Sequence, residues 1–434
     1  MGQENLAEIK ERMYAELYSR EEKVITHRDV EGLRERIGIE IPLTNAHNQE
    51  CTRDALRNLM LGIGDGNPLY WHPDYGSTTR WGEPIAHPCY IQTCGTSVKQ
   101  ELEPYEKARG FGAMDGIQSL DGGVDLYWYR PLRMGDFIWS KKYLRDVAVK
   151  KSDFASNSVV ADDRQFWAND KGELVAAGTR TTVYVGLEKT PRERTRYADI
   201  KSKLRYRPED IYPIDEGMDK EEWRGAEPRY WEDVGEGDEL VPVVKGPVIY
   251  VDLFNFNIGH GQLIAESGGS HRWAYEHRKQ NPGAWLINRF GAPDSRGSFC
   301  YQEDGPVTRF GLPIEYIYGD LIFSWLVHLC ANWMGDDAWL YHLNAQYHEP
   351  VFMYDTNWVK GKIARKYIDS AGQYKVDIAI HSEDNRGRTP VTGQATVILP
   401  SRVGGLPPVP PIDTPAPFNP GEAEVPIGKK PGVK

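Results

Sequence analysis

The sequence is poor in cysteine and has no long hydrophobic run. Five cysteines among 434 residues are too few for a disulfide scaffold, and the pair Cys89 and Cys94 has no second pair with which to complete a zinc site. No stretch of 18 apolar residues is present, so no membrane-spanning helix is expected. The first thirty residues carry acidic side chains and no apolar segment typical of a secretory signal. These absences predict a cytoplasmic protein with no metal.

Positive charge is also in short supply. The chain has 52 Lys and Arg against 63 Asp and Glu, giving a net charge of −11, whereas a nucleic-acid surface needs a basic excess. The sequence has no P-loop and no G-x-S-x-G elbow, and the glycines of GIGDGN end a helix instead of following a strand. We therefore expect no nucleic-acid partner, no membrane partner and no redox cofactor.

What the sequence does contain is an internal repeat. The pattern P-x-x-M-x-D-x-x-W occurs as PLRMGDFIW at residues 131–139 and again as PVFMYDTNW at residues 350–358. Met and Trp are scarce residue types, so chance is a poor explanation for four matches at one constant spacing. We interpret the repeat as two copies of one domain in a single chain.

The two copies show the same order of predicted elements. Each has an apolar helix and about five strands that alternate and are rich in Val, Thr, Tyr and Trp. A long helix wrapped by a curved antiparallel sheet is an α+β arrangement, and two such sheets side by side can form one continuous sheet that removes two exposed edges. We expect residues 50–185 to superpose on residues 245–400, with Trp139 over Trp358 and the methionine of each pattern, Met134 and Met353, also matched.

Composition divides the chain into four parts. Residues 1–186 form an N-terminal domain with a helical lead, and residues 187–245 form a charged, proline-containing connector. Residues 246–404 form the second domain. Residues 405–434 hold nine of the 29 prolines, and such a tail cannot build a core, so we expect it to be extended or disordered.

Three pieces of the sequence resemble the MaoC-like hydratase/dehydratase family in its tandem, double hot-dog form. IGDGNPLYWHPDYGSTTRWGEPIAHP resembles the family's G-D-x-N-P-x-H segment and the helix start that follows it. WYRPLRMGDFIW resembles the family's R-P-V-x-x-G-D strand, and KGELVAAGTRTTVYV and RGRTPVTGQATVILP resemble its closing strand. The resemblance implies reversible hydration of a 2-enoyl coenzyme A thioester by a homo-oligomer. It implies no cofactor other than the coenzyme A of the substrate.

The resemblance also implies a first candidate site. In the family, the Asp and His of G-D-x-N-P-x-H activate one water, and a backbone N–H at the start of the central helix binds the thioester oxygen. Asp65 and Asn67 match this motif, but Tyr70 stands at the histidine position, and the nearest imidazole is that of His72. Pro88 replaces the family glycine at the helix start and has no N–H to donate. Asp65 is alternatively the acceptor of an Asx turn.

A second candidate site lies in the second copy. Gly319 keeps the glycine at the helix start, where free N–H groups and the helix dipole favour a negatively charged oxygen. No D-x-N-P-x-H precedes it, so the acid/base candidates are His271 and Asp294 in the loop formed by residues 268–304. The missing N–H of Pro88 favours this second arrangement, but both stay open.

Three functions follow from these features. The first is a 2-enoyl-CoA hydratase or 3-hydroxyacyl-CoA dehydratase, and a bulky acyl group is one option for its substrate. The second is a hot-dog acyl-CoA thioesterase, in which Asp320 or Glu315 would guide the hydrolytic water. The third is a non-catalytic acyl-CoA binding partner, because each copy lacks one part of the family's site.

Overall fold

The computed structural model describes residues 24–43, 46–152, 156–186, 196–197, 199–288, 290–295, 297 and 312–415, together with residues 11 and 15. Parts of the predicted loop, connector and tail fall outside these ranges, including the tail after residue 415. Within the described ranges, no helix has the length and apolar character needed to cross a membrane. The same residues contain no group of three or more His, Cys, Asp or Glu side chains that could hold a metal ion.

The described part of the chain contains both helices and strands. The α-helices are α1 (His27–Glu35), α2 (Arg53–Ile63), α3 (Pro73–Gly76), α4 (Pro104–Lys107), α5 (Pro208–Asp219), α6 (Tyr250–His260), α7 (Gln262–Ser267), α8 (Arg272–Gln280) and α9 (Gly319–Met334). Short 3₁₀ helices lie at Pro68–Tyr70, Pro88–Thr93, Trp231–Asp233 and Pro282–Ala284. The strands are β1 (Thr96–Ser97), β2 (Gln118–Trp128), β3 (Ile138–Ser152), β4 (Ser156–Asn169), β5 (Leu174–Val185), β6 (Val243–Lys245), β7 (Trp285–Ile287), β8 (Pro293–Ser295), β9 (Trp339–Tyr347), β10 (Asn357–Ile368), β11 (Tyr374–Asp384) and β12 (Val391–Ile398).

Ten of these strands form one continuous sheet in the order β1-β3-β4-β5-β2-β9-β12-β11-β10-β6, and β7 and β8 form a separate two-stranded sheet. Strand β2 of the first copy pairs antiparallel with β9 of the second, so the copies meet in the middle of the large sheet. Outward from this junction, β5, β4 and β3 follow on one side, and β12, β11 and β10 follow on the other. The predicted α+β class and the predicted continuous sheet are confirmed.

The repeated sequence pattern lies at equivalent places in the two halves. Trp139 is the second residue of β3, and Trp358 is the second residue of β10. In the strands that flank the junction, Gly178 pairs with Leu126 and Gly393 pairs with Ala345. The two copies therefore have the same strand connectivity, as a duplication requires.

Helix α9 is the central helix of the second copy. All of its residues from Gly319 to Met334 are buried. Most are apolar, but Asp320, Ser324, His328 and Asn332 recur every four residues and form one polar face. Its first turn faces β2, because the Gly319 N–H donates to Oδ2 of Asp121 at 3.2 Å. The start of the central helix is thereby fixed against the sheet of the first half.

The first copy does not contain the long helix that the sequence predicted. The segment begins at Pro88, as expected, but it forms a six-residue 3₁₀ helix that ends at Thr93. Cys94 is extended, and Gly95 has a φ of +113° with Ser140 and Trp167 close to it. A positive φ is incompatible with a continuing α-helix, so the chain turns into β1 instead.

Helices α2 and α6 are equivalent elements of the two copies and end in the same way. The C-cap of α2 is Gly64, with a φ of 66°, and the C-cap of α6 is Gly261, with a φ of 74°. Both glycines adopt the left-handed conformation that ends many helices. The residue after each cap, Asp65 in the first copy and Gln262 in the second, therefore occupies a matching position.

Candidate active site

A cleft lies between the two halves, at the start of α9. Its volume is about 660 Å³, which is within the range of small-molecule sites. The first half contributes side chains from the sheet and from the 3₁₀ helix Pro88–Thr93, and the second half contributes side chains from α6, α7 and α9. Polar residues that line this cleft include Gln92, Arg180, His260, Gln262, Glu266 and Asp320.

His260 is the last residue of α6 and is only 7 % exposed. Its ring stacks on Phe256, one turn earlier, with ring centroids 4.6 Å apart. Neither ring nitrogen has a hydrogen-bond partner among the described residues. Burial lowers the pKa of His260 to about 4, so the imidazole is neutral at pH 7. A neutral imidazole beside a cleft can accept a proton from a bound molecule.

Asp320 lies in the first turn of α9 and is 3 % exposed. Its carboxylate accepts hydrogen bonds from Arg180 Nη1 at 2.9 Å and from Gln92 Nε2 at 2.9 Å. Burial alone would raise the pKa of Asp320, but the charge and hydrogen bond of Arg180, together with His260 and Lys142, lower the pKa below its usual value. Asp320 is therefore held in its ionised form inside the protein.

His260 and Asp320 form an incomplete contact. His260 Nε2 and Asp320 Oδ2 are 3.9 Å apart, which is too long for a hydrogen bond. The separation suits one water molecule that contacts both atoms. A proton acceptor and a fixed carboxylate thus come together from α6 and α9 at the edge of the cleft.

Glu266 on α7 is a third titratable group of the cleft. Its Oε1 accepts a hydrogen bond from Gln262 Nε2 at 3.2 Å, whereas its Oε2 is shielded from solvent and has no partner in the part of the chain that the structure describes. Burial raises the pKa of Glu266 to about 7. A carboxyl group that is partly protonated at neutral pH can act as a general acid.

The N–H of Gly319 does not face an empty site. It donates to Oδ2 of Asp121 at 3.2 Å, and Asp121 also accepts from Arg180 Nη2 at 2.9 Å. A Cβ at position 319 would lie 2.5 Å from the same carboxylate oxygen, so the glycine allows this close approach. A carboxylate of the first half occupies the position that the sequence analysis assigned to a thioester oxygen.

Asp65 and Asn67 each accept a hydrogen bond in an Asx turn, which is the alternative to a catalytic role for Asp65. Asp65 Oδ1 accepts from the Asn67 N–H at 2.8 Å, and Asn67 Oδ1 accepts from the Leu69 N–H at 3.1 Å. Both residues are buried. Among the described residues, those that line the cleft include neither of them.

Asp65 belongs instead to a buried network of charged and polar groups that joins the halves. Its carboxylate oxygens lie 3.4 Å from His87 Nε2 and 3.5 Å from His328 Nε2. His328 in turn lies 2.8 Å from Lys245 Nζ and 2.7 Å from Glu221 Oε1. Burial would raise the pKa of Asp65, but His328 and His87 lower it below its usual value. His328 therefore lies at the centre of this network.

The other sequence candidates lie apart from the cleft. His72 is the N-cap of α3, where its Nδ1 accepts from the Tyr75 N–H at 3.4 Å. His271 is exposed and precedes α8 with a φ of 51°. Asp294 is in β8 and accepts from Asn288 Nδ2 at 3.3 Å. In the described ranges, none of these three side chains lines the cleft, so their catalytic roles stay predictions.

Sequence reasoning missed His260, Glu266 and Arg180. A signal for His260 was available, because G-I-G-D at residues 62–65 and G-H-G-Q at residues 259–262 share two glycines at equivalent helix ends. That alignment places Gln262 at the position of Asp65 and shows that the second copy carries a histidine beside the cap. No comparable local signal marks Arg180, which reaches the cleft only because β5 crosses the start of α9.

The fold is similar to several solved structures. A MaoC-like dehydratase matches with a TM-score of 0.56 and 14 % identity, over 85 % of this chain and 99 % of that chain. A putative MaoC domain protein dehydratase from Chloroflexus aurantiacus matches with a TM-score of 0.48 and 11 % identity, over 85 % and 96 % of the two chains. Rv0216, a conserved protein of Mycobacterium tuberculosis with a double hot-dog fold, matches with a TM-score of 0.45 and 11 % identity, over 83 % and 96 %.

The sequence itself matches one known family profile, the FAS1-like dehydratase domain region, over residues 36–177. No curated protein sequence matches the chain. The two copies join in one continuous sheet, as a double hot-dog fold requires, and the predicted resemblance to MaoC-like dehydratases is confirmed at the level of the fold.

Proposed function

We propose that the protein is a hydro-lyase that adds water to a 2-enoyl coenzyme A thioester and removes it in the reverse direction. The observation that carries this proposal is the pairing of His260 with Asp320 across 3.9 Å, at the start of the central helix. A carboxylate and an imidazole that share one water are the groups that the reaction needs. Here they come from α6 and α9 instead of from a single D-x-N-P-x-H segment.

In the cleft, neutral His260 can accept a proton and protonated Glu266 can donate one. In the hydration direction, a water held between His260 and Asp320 attacks the β-carbon and transfers a proton to the His260 imidazole. The electron pair of the double bond moves towards the α-carbon, which takes a proton from the carboxyl group of Glu266. The proton on His260 then returns to Glu266 through the water of the cleft, and the thioester has gained one water.

Negative charge develops on the thioester oxygen during this reaction and needs a hydrogen-bond donor. The N–H of Gly319 is at the start of α9, where the helix dipole also favours negative charge. Because Asp121 uses this N–H at present, we propose that the thioester oxygen displaces the Asp121 carboxylate. Arg180 remains bonded to Asp320 and keeps that carboxylate ionised.

The position of Asp121 favours a second candidate function, non-catalytic binding of an acyl thioester. If the carboxylate stays on Gly319, it places negative charge where the oxyanion would form and opposes the reaction. The thioesterase hypothesis has weaker support. Asp320 already accepts from Arg180 and Gln92, and Glu315 accepts from Lys203 Nζ at 2.9 Å and from the hydroxyl of Tyr250.

Mass spectrometry of the protein incubated with a panel of enoyl-CoA and acyl-CoA thioesters separates the three functions. A mass gain of one water supports hydration, release of free coenzyme A supports hydrolysis, and saturable binding without either supports a binding role. His260→Gln should lower the hydration rate by roughly 10²–10⁴-fold, the usual effect of losing a general base. His381→Ala removes an exposed histidine on β11 and should leave the rate unchanged. A folded His260→Gln protein with the normal rate would contradict the proposal.

A further inference from the structure

The cleft contains hydrogen-bond acceptors that the proposed reaction does not use. Oε1 of Gln92 and Oε1 of Gln262 are both shielded from solvent, and neither has a partner among the residues that the structure describes. Both side chains line the cleft. An acceptor shielded from water and left without a donor is costly, so each such atom calls for an explanation.

The orientation of the two amides is fixed by their neighbours. Gln92 Nε2 donates to the Asp320 carboxylate at 2.9 Å, and Gln262 Nε2 donates to Glu266 at 3.2 Å. Asp320 is ionised and its oxygens only accept hydrogen bonds, so flipping the Gln92 amide would place two acceptors against each other. Gln92 Oε1 is therefore a true acceptor, and Gln262 Oε1 is one whenever Glu266 is ionised. A ligand that satisfies these atoms must supply donors.

The charges of the cleft limit which donors are suitable. Its lining has more carboxyl groups than cationic groups: Asp121, Asp163, Glu266 and Asp320 against Lys142 and Arg180. An acyl group with its own carboxylate or phosphate would be repelled by this excess. A hydroxyl group is uncharged and both donates and accepts, so it can donate to an amide oxygen and also accept from a neutral His260 imidazole.

The polar lining is found in the cleft at the start of α9 and not at the equivalent place in the other half. Arg180 lies two residues beyond Gly178 on β5, and the equivalent residue two positions beyond Gly393 on β12 is Ala395, which is fully buried. At the helix start of the first copy, a small cavity of about 30 Å³ is lined by residues that include Trp81 and Trp339. The two halves have diverged into one open polar cleft and one region with only a small cavity.

We propose that the acyl group of the substrate carries at least one hydroxyl group beyond the β-carbon, which donates to Gln92 Oε1 or Gln262 Oε1. The substrate class is then a hydroxylated, uncharged acyl thioester. This inference rests on the proposed function, since it names the acyl group on which the hydro-lyase acts.

Saturated acyl-CoA thioesters test the inference by binding alone, because they cannot be hydrated. Isothermal titration calorimetry compares butanoyl-CoA with 4-hydroxybutanoyl-CoA, which has no hydroxyl group on the β-carbon to lose. The hydroxylated thioester should bind about tenfold more tightly than butanoyl-CoA. Gln92→Met or Gln262→Met should abolish this preference, so that the variant binds plain and hydroxylated thioesters with equal affinity. Gln118→Met is the matched control, because Gln118 lines the same cleft while its Nε2 donates to the Ser119 carbonyl.

Three results would overturn the inference. These are equal affinity of the wild-type protein for plain and hydroxylated thioesters, a preference that survives in both glutamine variants, and tighter binding of 4-aminobutanoyl-CoA than of its hydroxyl counterpart. The last result would show that a cation is recognised instead. Hydration of enoyl-CoA thioesters is measured separately, so hydration without a hydroxyl preference refutes only this inference. A hydroxyl preference without any hydration refutes only the proposed function.

Discussion

Gly62 of α2 and Gly259 of α6 make the same backbone contact from opposite sides. A Cβ on Gly62 would lie 2.7 Å from the carbonyl oxygen of Asn255, and a Cβ on Gly259 would lie 2.7 Å from the carbonyl oxygen of Asn58. The two glycines are separated by as many positions as the two asparagines. A two-fold axis between the copies therefore relates the two sides of this contact. His260 follows Gly259 in the sequence and so lies at the junction of the halves.

Alanine at either glycine should destabilise the protein. Gly62→Ala and Gly259→Ala each place a methyl group against backbone atoms that cannot move independently, at a cost of about 1–3 kcal/mol. Alanine is otherwise favoured over glycine inside a helix by about 1 kcal/mol, so a loss can be assigned to packing. The free energy of unfolding is measured by urea denaturation. Gly66→Ala is the control, because only the Trp223 ring lies near that position, at 3.9 Å, and equal stability of all three variants would contradict the close contact.

The pH dependence of hydration should be bell-shaped. The active free enzyme needs neutral His260, with a pKa of about 4, and protonated Glu266, with a pKa of about 7. Below pH 4, His260 is protonated and cannot accept a proton from water. Above pH 7, Glu266 is ionised and cannot donate one, so kcat/KM should fall on both sides. Glu266→Gln should remove the alkaline limb, and a wild-type rate that still rises above about pH 8 would exclude Glu266 as the acid.

Asp65→Asn tests whether the first-copy motif is structural. The change removes the buried negative charge beside His87 and His328, while Glu221 remains in contact with His328. Breaking a buried ion pair in this way costs about 3–5 kcal/mol. The urea midpoint should fall, whereas the turnover of the folded protein should stay near normal. Asp74→Asn, at an exposed position of α3, should change neither quantity. A hundredfold loss of turnover at unchanged stability would return the chemistry to the first copy.

Gly319→Pro tests the oxyanion donor of the second copy. Proline at the first position of a helix keeps the helix geometry but removes the N–H, so kcat should fall by roughly 10²–10³-fold while acyl-CoA binding changes little. Gly319→Ala is the matched control, since its Cβ displaces Asp121 in the same way and its N–H remains. Equal losses in the two variants would assign the effect to the displaced carboxylate, and normal turnover in a folded Gly319→Pro protein would rule out this donor.

The parts of the fold that follow from local pattern could be predicted from the sequence. The repeated P-x-x-M-x-D-x-x-W pattern indicated two copies, and it marks β3 and β10 at equivalent places. The glycines of GIGDGN were predicted to end a helix, and α2 ends at Ile63 with Gly64 as its cap. The predicted long helix after Pro88 was wrong: the segment ends at Thr93, and Gly95, with a φ of +113°, packs where a Cβ would meet Ser140 and Trp167 of distant strands.

The candidate site was harder to predict because it is assembled across the chain. Arg180 on β5, Asp320 on α9 and His260 on α6 become neighbours only when β2 and β9 join the two sheets. The sequence matches the family motif at Asp65, but the structure places the Asp65 carboxylate in a buried network. No spacing rule connects residues that meet through the pairing of distant strands.

The difference between the equivalent residues Arg180 and Ala395 affects how many ligand molecules one chain should bind. A duplicated chain would ordinarily offer two equivalent sites, and ligand would then bind in two steps. Arg180 is charged, whereas the equivalent residue of the other half, Ala395, has only a methyl group. The chain should therefore bind a single acyl thioester. Calorimetric titration should reach saturation at one ligand per chain, with no second binding event to couple to the first.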